Sequence, residues 1–166
     1  MANPMYGQNK ADGAIQDGKS SVVVAGDDIT LTAAQTGSTV FMNAAAKTIQ
    51  LPAAAPGLNF KVIFGVDTTA GADILAASGD AFYGKIVVID NADDKIAVQA
   101  LTFATVTNST DEASYDVMTF DGDSNTSGCT AGDVVELIAC DDNAWFVHGS
   151  LMTTGTPSSV AVIGAS

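Results

Sequence analysis

The amino-acid sequence predicts an all-β fold, and two observations carry this prediction. About a dozen short runs are rich in Val, Ile, Thr, Phe and Tyr, which β-strands prefer, and residues typical of turns separate them. No window of a dozen residues has apolar positions at the 3.6-residue spacing of an amphipathic helix. Short strands at such regular intervals are typical of β-sandwiches and barrels, and we expect a jelly-roll-like β-sandwich.

We expect one domain at 19–166, preceded by an extended arm at 1–18. The chain has 166 residues, enough to bury about two-thirds of its unfolded surface in one core. Residues 1–18 are polar, contain Gly, Asn and Asp, and show no apolar period. They lack the basic start and apolar centre of a secretory signal, and no apolar run approaches the roughly 20 residues that cross a bilayer.

Six strands are predicted in the first half of the domain. Turn sequences such as AGDD, AQTG and TTAG separate them, because Gly, Asp and Asn tolerate the backbone angles that turns require. The runs are 20–25, 28–33, 38–43, 47–51, 59–66 and 72–77.

The strand TIQL ends at Pro52, since proline has no N–H to donate to a neighbouring strand. The connector AAAPG that follows is small and uncharged, and Gly57 gives the backbone freedom for the turn into the next strand. We expect this connector to be a rim loop of the sandwich where subunits can pack closely.

Six further strands are predicted in the second half, with the turns ASGD and TAGD preceding two of them. The polar segment 108–128 predicts a long exposed loop around one strand. The absence of a repeat of fixed period argues against a solenoid. The runs are 81–90, 95–106, 115–120, 133–139, 144–151 and 159–164.

The charge balance disfavours several partners. The formal net charge is −13, with 19 acidic residues, six lysines and no arginine. Proteins that bind nucleic acid or anionic lipid neutralise phosphates with Lys and Arg, so we expect neither nucleic acid nor a membrane as partner. Enzymes that act on phosphates favour arginine and are disfavoured for the same reason.

Catalytic and cofactor motifs are missing, so we expect no enzyme, no catalytic residues and no cofactor. The only histidine, His148, lies in the run AWFVHGSL, where Trp145 and Val147 share one strand face and His148 shares the other with Ser150. Ser150 lacks the G-x-S-x-G elbow that presents a nucleophile. We therefore expect His148 to face solvent or a neighbouring subunit, and Trp145 to lie in the core.

We expect no metal site either. Asp121, Asp123 and Asn125 resemble the start of a calcium loop, but the glycine and glutamate that complete such a loop are missing. The two cysteines, Cys129 and Cys140, could face each other on neighbouring strands. They lack the partners of a zinc site, and without an export signal we favour free thiols.

Three stretches carry a resemblance to a known group of proteins. They are DITLTAAQTGSTVFMNAAAKTIQLPAAAPGLNFKVIF, SGDAFYGKI and AGDVVELIACDDNAWFVHGSL. In order and spacing they resemble small structural β-domains of tailed bacteriophages, which occur as head decoration (cement) proteins and as parts of tail fibres. The resemblance is one of pattern and spans about three-quarters of the chain.

The resemblance implies a homotrimeric cap on the outer capsid surface of the virion, made in the host cytoplasm, that bridges major capsid proteins and stabilises the head. The arm would then be a tether, in which Pro4, Met5, Tyr6 and Ile15 bury apolar surface against the capsid. The absence of coiled-coil heptads favours decoration over a fibre shaft.

The alternative is a tail-fibre domain, or a β-domain that binds a receptor or glycan. Such a domain presents an exposed aromatic ring with polar neighbours, because aromatic rings stack on sugars. The candidate recognition aromatics are Tyr83, Tyr115 and Trp145.

Overall fold

The computed structural model describes residues 21–68, 71–90, 97–102, 116–120, 129–153 and 162–164. Within them the chain forms twelve strands and one short 3₁₀ helix at Ala33–Gln35. Each predicted run overlaps one strand, so the all-β prediction is confirmed. The strands are β1 (Val22–Ala25), β2 (Ile29–Thr30), β3 (Thr39–Met42), β4 (Thr48–Gln50), β5 (Asn59–Phe64), β6 (Ala72–Leu75), β7 (Ala81–Asp90), β8 (Ala97–Thr102), β9 (Val117–Phe120), β10 (Val134–Asp141), β11 (Ala144–Thr153) and β12 (Val162–Gly164).

The strands form two sheets. The seven-stranded sheet has the order β1-β3-β5-β10-β11-β7-β8, and the five-stranded sheet has the order β12-β9-β6-β4-β2. No helix among the described residues is long and apolar enough to cross a membrane.

The first six strands alternate between the two sheets, and β1 to β4 each pair in parallel with the strand two places later in the chain. This is a solenoid-like winding. Val22 pairs with Thr39, 17 residues later, and Thr39 pairs with Lys61, 22 residues later. Because successive turns differ in length, no fixed period is visible in the sequence. The inference against a solenoid is therefore wrong for this part of the chain.

The later strands pair mainly in antiparallel fashion. β10 lies between β5 and β11 and is antiparallel to both, while β9 is antiparallel to β6 and to β12. The exception is β11, which runs parallel to β7 over ten residues. Jelly rolls are built from antiparallel strands, and the parallel pairs depart from that pattern, so the predicted jelly-roll connectivity is not confirmed.

Side chains from both sheets belong to one buried hydrophobic cluster. Phe64 of the seven-stranded sheet and Phe120 of the five-stranded sheet contact each other with ring centroids 5.1 Å apart. Phe60 and Trp145 lie 5.9 Å apart within the same cluster. Burying a large apolar side chain contributes about 1.5–3 kcal/mol, so this shared cluster is the main source of stability.

The connector after β4 carries the chain from the five-stranded to the seven-stranded sheet. Leu51 is buried, and the N–H of Ala54 donates to the buried carboxylate of Asp80 at 2.7 Å. Gly57 has a φ of 94°, and its N–H donates to the carbonyl of Ala139. The connector is thus anchored at both ends, while its role in subunit packing stays a prediction.

Candidate interaction surface

Successive side chains of β11 lie on opposite faces of the seven-stranded sheet. Trp145 and Val147 are fully buried, whereas His148 and Ser150 are exposed and Phe146 is half-buried. This alternation follows from the two-residue period of a strand and confirms the predicted division of β11. We call the side that carries Phe146, His148 and Ser150 the outer face.

The first row of side chains across the outer face is apolar. Val24, Phe41, Ile63 and Val134 are consecutive partners in register across β1, β3, β5 and β10. Directly paired residues point to the same side of a sheet, so these side chains adjoin one another. The Phe41 ring lies over Gly65, where an added Cβ would overlap it. We call these four residues the apolar row.

The second row is charged and lies next to the apolar row. Lys61, Glu136, His148 and Lys85 are partners in register across β5, β10, β11 and β7. The Glu136 carboxylate lies 3.3 Å from Lys61 Nζ and 2.9 Å from His148 Nε2. All three side chains are more than a third exposed, so these surface pairs each contribute under about 1 kcal/mol. We call these four residues the charged row.

The third row contains Ile138, Phe146 and Tyr83, paired across β10, β11 and β7. The rings of Phe146 and Tyr83 meet edge to face, with centroids 5.6 Å apart. A hydrogen bond to the Cys140 side chain, burial, and the charges of Cys140 and Asp141 raise the pKa of Tyr83 to about 12. Tyr83 is therefore neutral at physiological pH. We call these three residues the aromatic row.

Two glycines allow the strands beneath these rows to approach closely. At Gly84, which has a φ of 141°, an added Cβ would overlap the carbonyl oxygen of Val147. At Gly149 it would overlap the carbonyl oxygen of Val134. The lack of a side chain at these two positions therefore permits the close pairing of β10, β11 and β7 on which the charged row lies.

A buried carboxylate holds the end of β11 beside the start of β10. Asp133 follows Gly132, whose φ is 102°, and its Oδ2 accepts hydrogen bonds from the N–H groups of Thr130 at 2.7 Å and Met152 at 2.9 Å. Burial raises the pKa of Asp133, although these hydrogen bonds oppose the shift. The carboxylate therefore has a structural role as a paired acceptor.

A shallow cleft of about 400 Å³ opens beside the charged row, and Lys61, Glu136 and Ile138 form part of its lining. Sequence reasoning did not find it, because its walls come from strands far apart in the chain. The pattern NFKVIF does mark Lys61 as a polar position in an apolar strand, as VVELIA does for Glu136. Only the register of β5 and β10 shows that the two side chains meet.

The three candidate recognition aromatics differ in where they lie. Trp145 is 0% exposed and lies on the inner face, so its expected role as an exposed ring is wrong and its assignment to the core is confirmed. Tyr83 lies on the outer face, while Tyr115 is outside the described residues. His148 is exposed, as predicted.

Two other predicted sites lie outside the described residues. They are the arm residues Pro4, Met5, Tyr6 and Ile15 and the acidic segment 121–125. In the part of the chain that is described, no group of three or more His, Cys, Asp or Glu residues could hold a metal ion.

The cysteines are free thiols that differ in environment. Cys129 is buried, and burial raises the pKa of its thiol further than the neighbouring Asp133 charge does. Cys140 is exposed and lies beside Tyr83. A buried thiol with a raised pKa is poorly reactive, so Cys140 is the more accessible of the two.

Comparison of the chain with protein families, with curated proteins and with solved structures gave no match.

Proposed function

We propose that this protein is a structural, non-enzymatic component of a tailed-bacteriophage virion. In this proposal it is a decoration (cement) protein that binds the outer surface of the head and bridges major capsid proteins as a homotrimer. The two sheets and their shared core form a β-sandwich that carries the contact surfaces. The solenoid-like winding of β1 to β6 replaces the jelly-roll connectivity that was expected.

The exposed apolar side chains of the outer face support this function best. A sheet with one solvated face normally carries polar side chains there, whereas this face has an apolar row and an aromatic row on either side of the charged row. Contiguous exposed apolar side chains are typical of interaction surfaces between proteins. A decoration protein uses such surfaces for assembly.

The arm supplies the second contact in the proposal. Pro4, Met5, Tyr6 and Ile15 are apolar positions in a polar segment and would bury against the major capsid protein. Three arms on one trimer raise the effective concentration of each contact, so weak individual contacts suffice. The net charge of −13 fits neither nucleic acid nor an anionic membrane as partner.

Deleting residues 1–15 tests the tether. We expect the truncated protein to keep its β-domain, measured by circular dichroism, and to lose attachment to purified undecorated phage heads, measured by co-sedimentation. A matched control replaces only the polar residues Gln8, Asn9 and Lys10 with Ser and should attach normally. Full head occupancy by the truncated protein would contradict the tether.

The aromatic row favours one alternative, a tail-fibre domain that binds a receptor or glycan. The Tyr83 ring lies on the outer face next to Phe146, an arrangement that could stack on a sugar. A glycan array compares the wild type with Tyr83→Ala, and Val24→Ala at the far end of the same face is the control. Binding lost only in Tyr83→Ala would favour the alternative, while no glycan binding by the wild type would contradict it.

A further inference from the structure

The apolar row begins at an exposed strand edge. β1 is the last strand of the seven-stranded sheet, and Val22 and Val24 on it are 61% and 58% exposed. Proteins usually protect edge strands with lysine, proline or a bulge, and the four residues of β1 contain no lysine or proline. From Val24 the row continues to Phe41, which is 37% exposed. Among the described residues, this end of the outer face therefore exposes a short apolar strip.

The charge near this strip is unlike that of the whole chain. The chain carries a formal net charge of −13, but the adjoining charged row contains two lysines, Lys61 and Lys85, and one glutamate, Glu136. Two strongly acidic copies repel each other wherever acidic surfaces meet. The lysines of this row reduce that repulsion for a second acidic copy, even though the exposed Asp27 lies two residues beyond β1.

We propose that a second copy of this chain docks on the apolar row and the adjoining charged row. This inference rests on the proposed homotrimeric decoration protein and names the face through which its copies meet. Docking removes Val24 and Phe41 from water, which drives association, while Lys61 and Lys85 attract acidic groups of the neighbouring copy. In a cyclic trimer each copy contributes this face to one interface and a different surface to the next.

Sedimentation velocity of the full-length protein tests the apolar part of this face. The wild type should sediment as a species of three times the 16.8 kDa chain mass. Val24→Glu should weaken association by at least about tenfold, because it replaces apolar burial with a charge that loses its water. Val24→Thr keeps a β-branched side chain and should weaken it less, which guards against a folding defect in the glutamate variant.

Thr30→Glu is the matched control. Thr30 is also exposed and lies on β2, the edge strand of the five-stranded sheet. It receives the same charge on an edge strand away from the apolar row, so its association should equal that of the wild type. Equal weakening by Val24→Glu and Thr30→Glu would overturn the inference, as would a monomeric wild type.

A pair of lysine variants tests the electrostatic part. Lys85→Gln and Lys47→Gln both change the formal net charge from −13 to −14, but only Lys85 lies in the charged row. We expect Lys85→Gln to weaken association severalfold at low salt and Lys47→Gln to have little effect. Equal effects of the two variants would contradict a role for this row.

Head attachment separates failure of this inference from failure of the proposed function. A Val24→Glu protein that stays trimeric but no longer attaches to heads would assign the apolar row to the capsid partner, which overturns docking of a second copy and leaves decoration intact. A protein that forms trimers through this face but never attaches to heads would contradict decoration and support the inference.

Discussion

Trp145 and Phe146 are neighbours on β11, and both are aromatic, yet their environments differ. Trp145 is fully buried against Phe60, while Phe146 is half-buried on the outer face and contacts Tyr83. The inner face joins a continuous hydrophobic cluster, whereas the outer face arranges apolar, charged and aromatic side chains in separate rows. Changes to the inner face should therefore unfold the protein, and changes to the outer face should alter what it binds.

The largest effect is expected from Trp145→Ala. It removes the largest buried side chain and should lower the free energy of unfolding by about 3–5 kcal/mol, measured by urea denaturation. Phe146→Ala, one residue along the same strand, should cost about 1–2 kcal/mol because its ring is half-buried. Equal losses in the two variants would remove the distinction between the faces.

Asp133→Ala should cost somewhat less, about 2–4 kcal/mol. The substitution leaves the N–H groups of Thr130 and Met152 without their acceptor in a buried place. Asp133→Asn is the matched control, since its amide oxygen can accept both hydrogen bonds, and it should be at least as stable as the wild type at neutral pH. An alanine variant as stable as the asparagine variant would show that these hydrogen bonds matter little.

The pH-dependent part of the stability that Asp133 contributes should be smaller than the loss in Asp133→Ala. Its direction should be opposite to that of a salt-bridged carboxylate. Burial raises its pKa above the ordinary value of 3.8, so the folded state binds the proton more tightly than the unfolded state does. The stability it contributes is therefore present at low pH and falls as the pH rises from 3.8 through the raised pKa. The amide that replaces this carboxyl group in Asp133→Asn does not titrate.

The difference in unfolding free energy, Asp133→Asn minus wild type, should thus increase with pH across that window and then level off. Urea denaturation at a series of pH values measures it. A difference that falls as the pH rises would mean that hydrogen bonding, and not burial, dominates the environment of this carboxyl group.

The smallest effect on stability is expected from Glu136→Gln in the charged row. The variant loses the ion pair with Lys61 and changes the contact with His148 Nε2, but these groups are solvent-exposed, so the free energy of unfolding should change by less than about 1 kcal/mol. Asp27→Asn, which removes the surface pair with Lys47, is the control. A loss of several kcal/mol for Glu136→Gln alone would mean that the charged row stabilises the fold.

The positions of the strands could be predicted from the sequence, because turn residues and two-residue alternation are local signals. The faces of β11 were predictable for the same reason, so Trp145 could be assigned to the core. The pairing of strands was not predictable, since Val22 meets Thr39 and Ile29 meets Ile49 over turns of unequal length. The alternation of polar and apolar residues shows which face of the sheet a side chain lies on. It does not show which strand is the neighbour.

The candidate surface was predictable only in part. Lys61 and Glu136 stand out as charged residues within apolar strands, but they lie 75 positions apart in the sequence and meet only through the register of β5 with β10. The exposure of Val24 depends on β1 being an edge strand, which follows from the order of the whole sheet. Sequence patterns over a few residues predict neither the contact between Lys61 and Glu136 nor the exposure of Val24.

Cross-linking of mixed copies tests the central claim, that the outer face is where copies of this protein meet. Isotope-labelled and unlabelled chains are mixed, unfolded, refolded together and treated with an amine-reactive cross-linker, and mass spectrometry identifies links that join the two labels. The account predicts that these inter-copy links contain Lys61 or Lys85, on the charged row, at one end. Inter-copy links that contain neither Lys61 nor Lys85 would contradict it.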